Sequence, residues 1–220
     1  MDTPSNFDPS DFFNTGMTEM NGFTLTTGTE QNQTYASVST TNSTGILPNN
    51  AYNRYNFSIR NTAKFCDNKL SLDLGAQYII QNNKNMVGSG QYFNPLVSLY
   101  LFPRGENFQE VQMYERYSEA RNLMVQYWPE SIFGTDLDMQ NPYWIMNRMQ
   151  NELSKRRYMF NASLKWDITD WVNVTGRVRV DNSDSDSYEK YYASTRGTFT
   201  ESSSKGYYGH TCLLYTSPSP

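Results

Sequence analysis

The chain has 220 residues, of which 37% are hydrophobic and 15% aromatic, and carries a formal net charge of -4. Its 17 Tyr and 12 Phe exclude a disordered chain, while a soluble globular core would want more Leu, Val and Ile. The mild acidity offers no basic patch for nucleic acid or an anionic membrane surface. No run approaches the roughly 18 apolar residues that a membrane helix needs.

Met1-Asp2-Thr3-Pro4-Ser5 opens the chain without a basic region or an apolar run, so no signal peptide is read here. Residues 1–21 read as the end of a preceding connection, and 22–181 as a strand-rich body. The first strands are expected over Gly22 to Thr27 and Thr34 to Thr41, joined by residues 28–33. From Arg54 to Phe65, Tyr55, Phe57, Ile59, Ala63 and Phe65 share one parity, and Arg54, Asn56, Ser58, Arg60, Thr62 and Lys64 the other. A period of two sends the two sets to opposite faces of a strand. Cys66-Asp67-Asn68-Lys69 reads as a tight turn. Leu70, Leu72, Leu74, Ala76, Tyr78 and Ile80 then alternate with Ser71, Asp73, Gly75, Gln77 and Gln81.

Residues 82–156 show no convincing alternation and read as one long loop, with helical spacing between Asn107 and Val125 at Val111, Tyr114, Tyr117 and Arg121. Alternation resumes with Tyr158, Phe160, Ala162, Leu164, Trp166 and Ile168, and after Thr169-Asp170 with Val172, Val174, Gly176, Val178 and Val180. The count is six strands in three hairpins. Residues 182–210 are expected to form a loop and the start of a further strand. The tail 211–220 breaks the pattern and resembles a translated sequencing adapter, so it is left outside the fold.

An antiparallel sheet with one apolar and one polar face suits both a transmembrane β-barrel and a soluble β-sandwich that binds carbohydrate. Two features favour the barrel. Short connections follow the first, third and fifth strands and long ones the others, as in barrels with short periplasmic turns and long extracellular loops. Phe65, Trp166 and Trp171 lie at the short turns, and Tyr55, Tyr78 and Tyr158 toward the long loops, at the levels of two interfacial girdles. The chain thus reads as all-β, about six strands of a larger antiparallel barrel in the outer membrane of a Gram-negative bacterium. Without a signal peptide it is expected to be an internal fragment.

No catalytic constellation is present. The single histidine, His210, adjoins the anomalous tail, and Cys66 and Cys212 are far apart with no CxxC pattern. No enzyme activity, cofactor or metal is expected. Asp181-Asn182-Ser183-Asp184-Ser185-Asp186 spaces oxygen ligands alternately, but without the Gly and distal Glu of an EF-hand it reads as a solvated loop tip.

The long-loop segments Tyr92-Phe93-Asn94-Pro95-Leu96-Val97-Ser98-Leu99-Tyr100-Leu101-Phe102-Pro103-Arg104-Gly105, Ala120-Arg121-Asn122-Leu123 with Tyr127-Trp128-Pro129, and Asn141-Pro142-Tyr143-Trp144-Ile145-Met146-Asn147-Arg148 resemble the SusC/RagA type of TonB-dependent outer-membrane transporter. So does Gly45-Ile46-Leu47-Pro48-Asn49-Asn50 with Tyr52 to Phe57. The resemblance covers residues 10–205. It implies a barrel of about 22 strands, closed by an N-terminal plug, that imports glycans or peptides. The implied partners are outer-membrane lipid, a SusD-like surface lipoprotein acting as a lid, the TonB complex through an N-terminal part, and an oligosaccharide or peptide substrate, with no nucleic acid. No TonB box or plug is recognisable in these residues. Trp128, Tyr143, Trp144, Arg104 and Asn141 are the candidate substrate or lid contacts, because aromatic faces stack on sugar rings and Arg and Asn bond hydroxyls; internal packing of the loop is their alternative role. Arg60, Lys165, Arg177 and Arg179 are expected to face the lumen, against the plug or substrate.

Overall fold

The computed structural model describes residues 7–90, 92–128 and 139–219. Strand makes up 57% of the structure, so the all-β class expected from alternation is the class observed. Seven strands form one antiparallel meander: β1 (Met17–Gly28), β2 (Asn32–Thr44), β3 (Ala51–Phe65), β4 (Leu70–Lys84), β7 (Met149–Thr169), β8 (Val172–Tyr191) and β9 (Tyr207–Ser219). The sheet is open, with β1 and β9 at its edges. A separate two-stranded sheet, β5 (Glu115–Ser118) and β6 (Leu123–Gln126), lies within the long connection.

Turn chemistry explains the short connections. Cys66, Asp67 and Asn68 all take left-handed φ, from 52° to 68°, a conformation that Asp and Asn tolerate through local side-chain bonding. At the β7–β8 turn the Thr169 hydroxyl accepts from Val172 N at 3.1 Å. Gly28, at φ 147°, turns out of β1 where a Cβ would lie 2.1 Å from the Asn32 carbonyl oxygen, so only glycine fits.

Register sets the faces, because residues directly opposite in an antiparallel pair share a side. One row runs Phe23, Val38, Phe57, Tyr78, Tyr158, and the next Leu25, Ala36, Ile59, Ala76, Phe160, Val180. Toward the short turns, Leu72 pairs with Leu164, and Leu70 with Trp166. This face is a continuous apolar band, and Phe57, Phe160, Leu164 and Trp166 remain 41–57% exposed on it. The opposite face is polar; on it Arg60, Gly75, Asn161 and Arg179 form one row. Among the described residues no second large sheet covers either face, as a β-sandwich would require.

Several boundaries differ from those expected. β1 and β2 exceed 22–27 and 34–41 at both ends, which reduces the second connection to residues 45–50. The long connection is 85–148, because β7 begins at Met149. β8 continues to Tyr191 where a loop is expected, and residues 207–219, most of them in the tail left outside the fold, form β9. The main sheet therefore has seven strands, not six. The stretch 181–191 is rich in Asp, Asn and Ser, poor strand formers alone. Cross-strand partners hold it extended: Arg157 bonds Asp181, and Lys190 bonds Glu152 at 2.9 Å. The helical spacing at 107–125 gives only a short helix over residues 108–112. The chain then turns back at Asn122, φ 51°, and Glu115 pairs with Gln126.

The buried core sits at one end of the sheet, within the connections. Phe7, Phe12, Leu47, Leu99, Phe102, Phe108, Val111 and Met146 form one cluster. Trp144, Ile145, Met149 and Tyr191 form a second, which joins it to the strand ends.

Candidate functional site

The connections at 45–50, 85–148 and 192–206 all leave the same end of the meander. Short helices organise them: α1 (Pro95–Leu101), α2 (Phe108–Gln112), α3 (Pro142–Arg148) and α4 (Gly197–Thr200). The Asn-Pro pairs of the sequence motifs are helix starts. Asn94 caps α1 by accepting from Leu96 N at 3.0 Å, and Asn141 caps α3 by accepting from Tyr143 N at 2.8 Å. In both helices proline takes the first-turn position, where its missing N–H costs nothing.

Asn141 does more than cap. Its amide donates to the carbonyls of Val111 at 2.7 Å and Tyr127 at 3.0 Å, and its backbone N donates to the Gln126 side-chain carbonyl at 2.9 Å. Gln126 in turn donates to the Ser194 carbonyl at 3.2 Å, and its backbone N donates to the Ser194 hydroxyl at 2.9 Å. The Trp144 indole N–H donates to the Thr195 hydroxyl at 3.0 Å. One polar network thus ties the β5–β6 hairpin, α3 and the 192–206 connection together.

A second network consists of asparagines. Asn85, buried and at φ 49°, donates to the carbonyls of Asn49 at 3.1 Å and Met146 at 2.9 Å, and accepts from Asn151 N at 3.0 Å. Asn49 also donates to the Met146 carbonyl at 3.1 Å, and Asn50 to the Asn85 carbonyl at 2.8 Å. These bonds fasten the 45–50 connection to both ends of the long one. Arg148 makes a two-pronged ion pair with Glu115, at 2.7 and 2.8 Å, beneath the Tyr192 ring 4.8 Å away. Hydrogen bonding to Glu115 raises the Arg148 pKa against the opposing effect of burial. Burial raises the Tyr143 phenol and pushes Tyr191 up to about 12.

The structure separates the expected contact residues. Asn141 and Trp144 are 0% and 1% exposed, so their contacts describe capping and packing, and neither presents surface to a ligand. Tyr143 is half-buried, its ring 4.9 Å from Phe12. Arg104 is exposed, its carbonyl accepting from Phe7 N at 3.3 Å. Trp128, tilted against Phe102, borders a polar cavity of about 430 Å³ with Arg121, Gln126, Met139, Ser194 and Arg196. Alternation alone could not have found this cavity, since its walls come from two connections far apart in sequence, 85–148 and 192–206. The only hint was the cluster of polar and aromatic residues around 121–128.

The four expected lumen residues do share the polar face. Arg60 donates to the Asp73 carboxylate through Nε and Nη2, and Lys165 pairs with Asp167 at 2.8 Å. Arg177 and Arg179 are exposed on β8. The acidic run 181–186 is strand, not a loop tip, so Asp181 faces away from Asp184 and Asp186 and the run cannot wrap one ion. Asp184 and Asp186 instead approach Cys212 on β9, with ligand atoms within 4.8 Å of one another, and His210 lies 3.1 Å from Asp186. That group depends on Cys212, within the tail that resembles an adapter.

No protein-family model matches the chain, and no curated protein matches it.

Proposed function

We propose that this chain is a segment of an outer-membrane β-barrel importer, its apolar face toward lipid and its connections outside the cell. One observation carries the reading: a single antiparallel meander bears an exposed apolar band, uncovered by any second layer among the described residues. On β4 the band runs from Leu70 to Ile80, ten residue steps or about 33 Å along the strand. A tilt of roughly 40° reduces this to about 25 Å, the height of the lipid-facing band of such barrels. Beyond Tyr158 the same face turns polar, at Arg156, Ser154 and Glu152. The upper parts of β7 and β8 would then stand in water above the bilayer. Trp166 and Trp171, 53% and 85% exposed, occupy the opposite rim, where amphipathic rings favour the interface.

Import of an oligosaccharide or peptide, with a SusD-like lipoprotein and the TonB complex as partners, rests on the sequence resemblance. The cavity beside Trp128 is the place at the loop end suited to a small polar solute. The membrane reading is tested by reconstituting the full chain in bilayers of brominated lipid. Bromines near the headgroup should quench Trp166 and Trp171, assigned with W166F and W171F variants. Stable monomeric folding in buffer without detergent, or no quenching, would sink the reading.

A further inference from the structure

The polar wall of the cavity beside Trp128 is one-sided. Its charged side chains among the described residues are Arg121 and Arg196, with no carboxylate, in a chain of net charge -4. Arg121 reaches from the β5–β6 turn to the 192–206 connection, where its Nη2 donates to the Ser203 carbonyl at 2.8 Å. That bond fixes the guanidinium and uses only part of its N–H set. The neighbouring acceptors are already engaged. The Ser203 carbonyl also receives Ser194 N at 2.8 Å, and the Gln126 side-chain carbonyl receives Asn141 N at 2.9 Å. Ser194 is a second, independent observation. It holds φ 86°, a left-handed conformation that serine keeps only where its surroundings impose it, and such outliers collect at ligand sites. Its hydroxyl accepts from Gln126 N at 2.9 Å, which leaves the hydroxyl hydrogen to donate.

We propose that this cavity binds a small acidic solute by its carboxylate, on the guanidiniums of Arg121 and Arg196 with the Ser194 hydroxyl as a further donor. The inference rests on the reading of this cavity as the solute site and names the class of solute it takes. A neutral sugar needs acceptors for its hydroxyls as much as donors, and the acceptors here are engaged within the protein. A carboxylate needs donors alone, and a guanidinium presents paired N–H groups that match both of its oxygens. The volume of about 430 Å³ lies within the range of small-molecule pockets, and Trp128 gives the body of the solute an apolar wall. A sugar acid and the end of a short peptide both carry this group, and the test separates them.

The test is isothermal titration calorimetry of the full chain in detergent micelles with glucuronate, its neutral isostere glucuronamide, glucose and N-acetylalanine. Glucuronate should bind about tenfold more tightly than glucuronamide, and added salt should weaken it. Tighter binding of glucuronate than of N-acetylalanine assigns the carboxylate to a sugar acid, and the reverse order assigns it to a peptide. R121Q should weaken glucuronate about tenfold and leave glucuronamide unchanged, a split that a damaged fold cannot produce. S194G relieves the backbone strain, so the loss of about threefold expected for the acids reports the missing hydroxyl. Equal binding of glucuronate and glucuronamide, an equal effect of R121Q on both, or unchanged affinity in either variant would overturn the proposal while leaving a solute site. No binding of any of these compounds would overturn it and remove the solute site as well, whereas the barrel reading stands or falls on the quenching measurement.

Discussion

Replacing Asn85 by alanine probes the connection network most directly. Asn85 is 4% exposed and holds φ 49°, and its side chain makes three hydrogen bonds to backbone groups. In N85A the Met146 carbonyl keeps a donor in Asn49. The Asn49 carbonyl and Asn151 N, both part-buried, lose the Asn85 partner, at about 1–2 kcal/mol each. Alanine also tolerates the left-handed backbone less well than asparagine, which adds about 1 kcal/mol. The expected loss is about 3–5 kcal/mol, a large share of the 5–15 kcal/mol typical of a folded domain. N85G relieves the backbone strain and should fall between wild type and N85A. N85D should be worst at neutral pH, because a carboxylate oxygen would face the Asn49 and Met146 carbonyls, and it should recover partly in acid. The assay is urea unfolding of the detergent-solubilised chain, followed by the fluorescence of the loop-end tryptophans. An N85A midpoint within about 1 kcal/mol of wild type, or N85D no worse than N85A, would refute the reasoning.

Further outcomes follow from the same contacts. T195V leaves the buried Trp144 indole unpaired and should cost about 1–3 kcal/mol; pairing it with W144F in a double-mutant cycle should show coupling between the two, and additive losses would count against the bond at 3.0 Å. Burial pushes Tyr191 up to about 12, above the free phenol's value of about 10. Its contribution is therefore complete below the unfolded value and is lost as pH rises toward the folded one. Stability of the wild type should fall more steeply than that of Y191F above about pH 10, and parallel curves would show that Tyr191 ionises freely. G28A should be severely destabilising, since its Cβ meets a backbone oxygen at 2.1 Å. G75A should cost under about 1 kcal/mol, because only the end of the Asn161 side chain must move; melting of both variants in detergent checks the contrast.

Much of the sheet was legible because alternation is a local property. Tyr55 to Phe65 and Leu70 to Ile80 carry their face assignment in their own spacing, and the Cys66–Lys69 turn in its Asp-Asn pair. The upper halves of β7 and β8 were not legible. Residues 181–191 have the composition of a loop, and pairing with β7 and β9, the partners Arg157 and Glu152, and the burial of Tyr191 at the end of the stretch keep them extended. The contact residues divided for a similar reason. An aromatic or amide in a long loop has the same sequence signature whether it meets a ligand or fills a core. Trp144 and Asn141 were resolved by Thr195, Val111 and Tyr127, which no spacing rule connects to them.

By itself, then, the sequence determined an all-β chain with one apolar and one polar strand face, since a period of two is fixed by backbone geometry alone. Tertiary structure decided how far β8 runs, that the buried core lies in the connections rather than on the sheet, and which loop side chains remain at the surface. Each of those outcomes depends on partners distant in sequence, and burial and hydrogen-bond satisfaction are properties of the assembled neighbourhood rather than of any local segment.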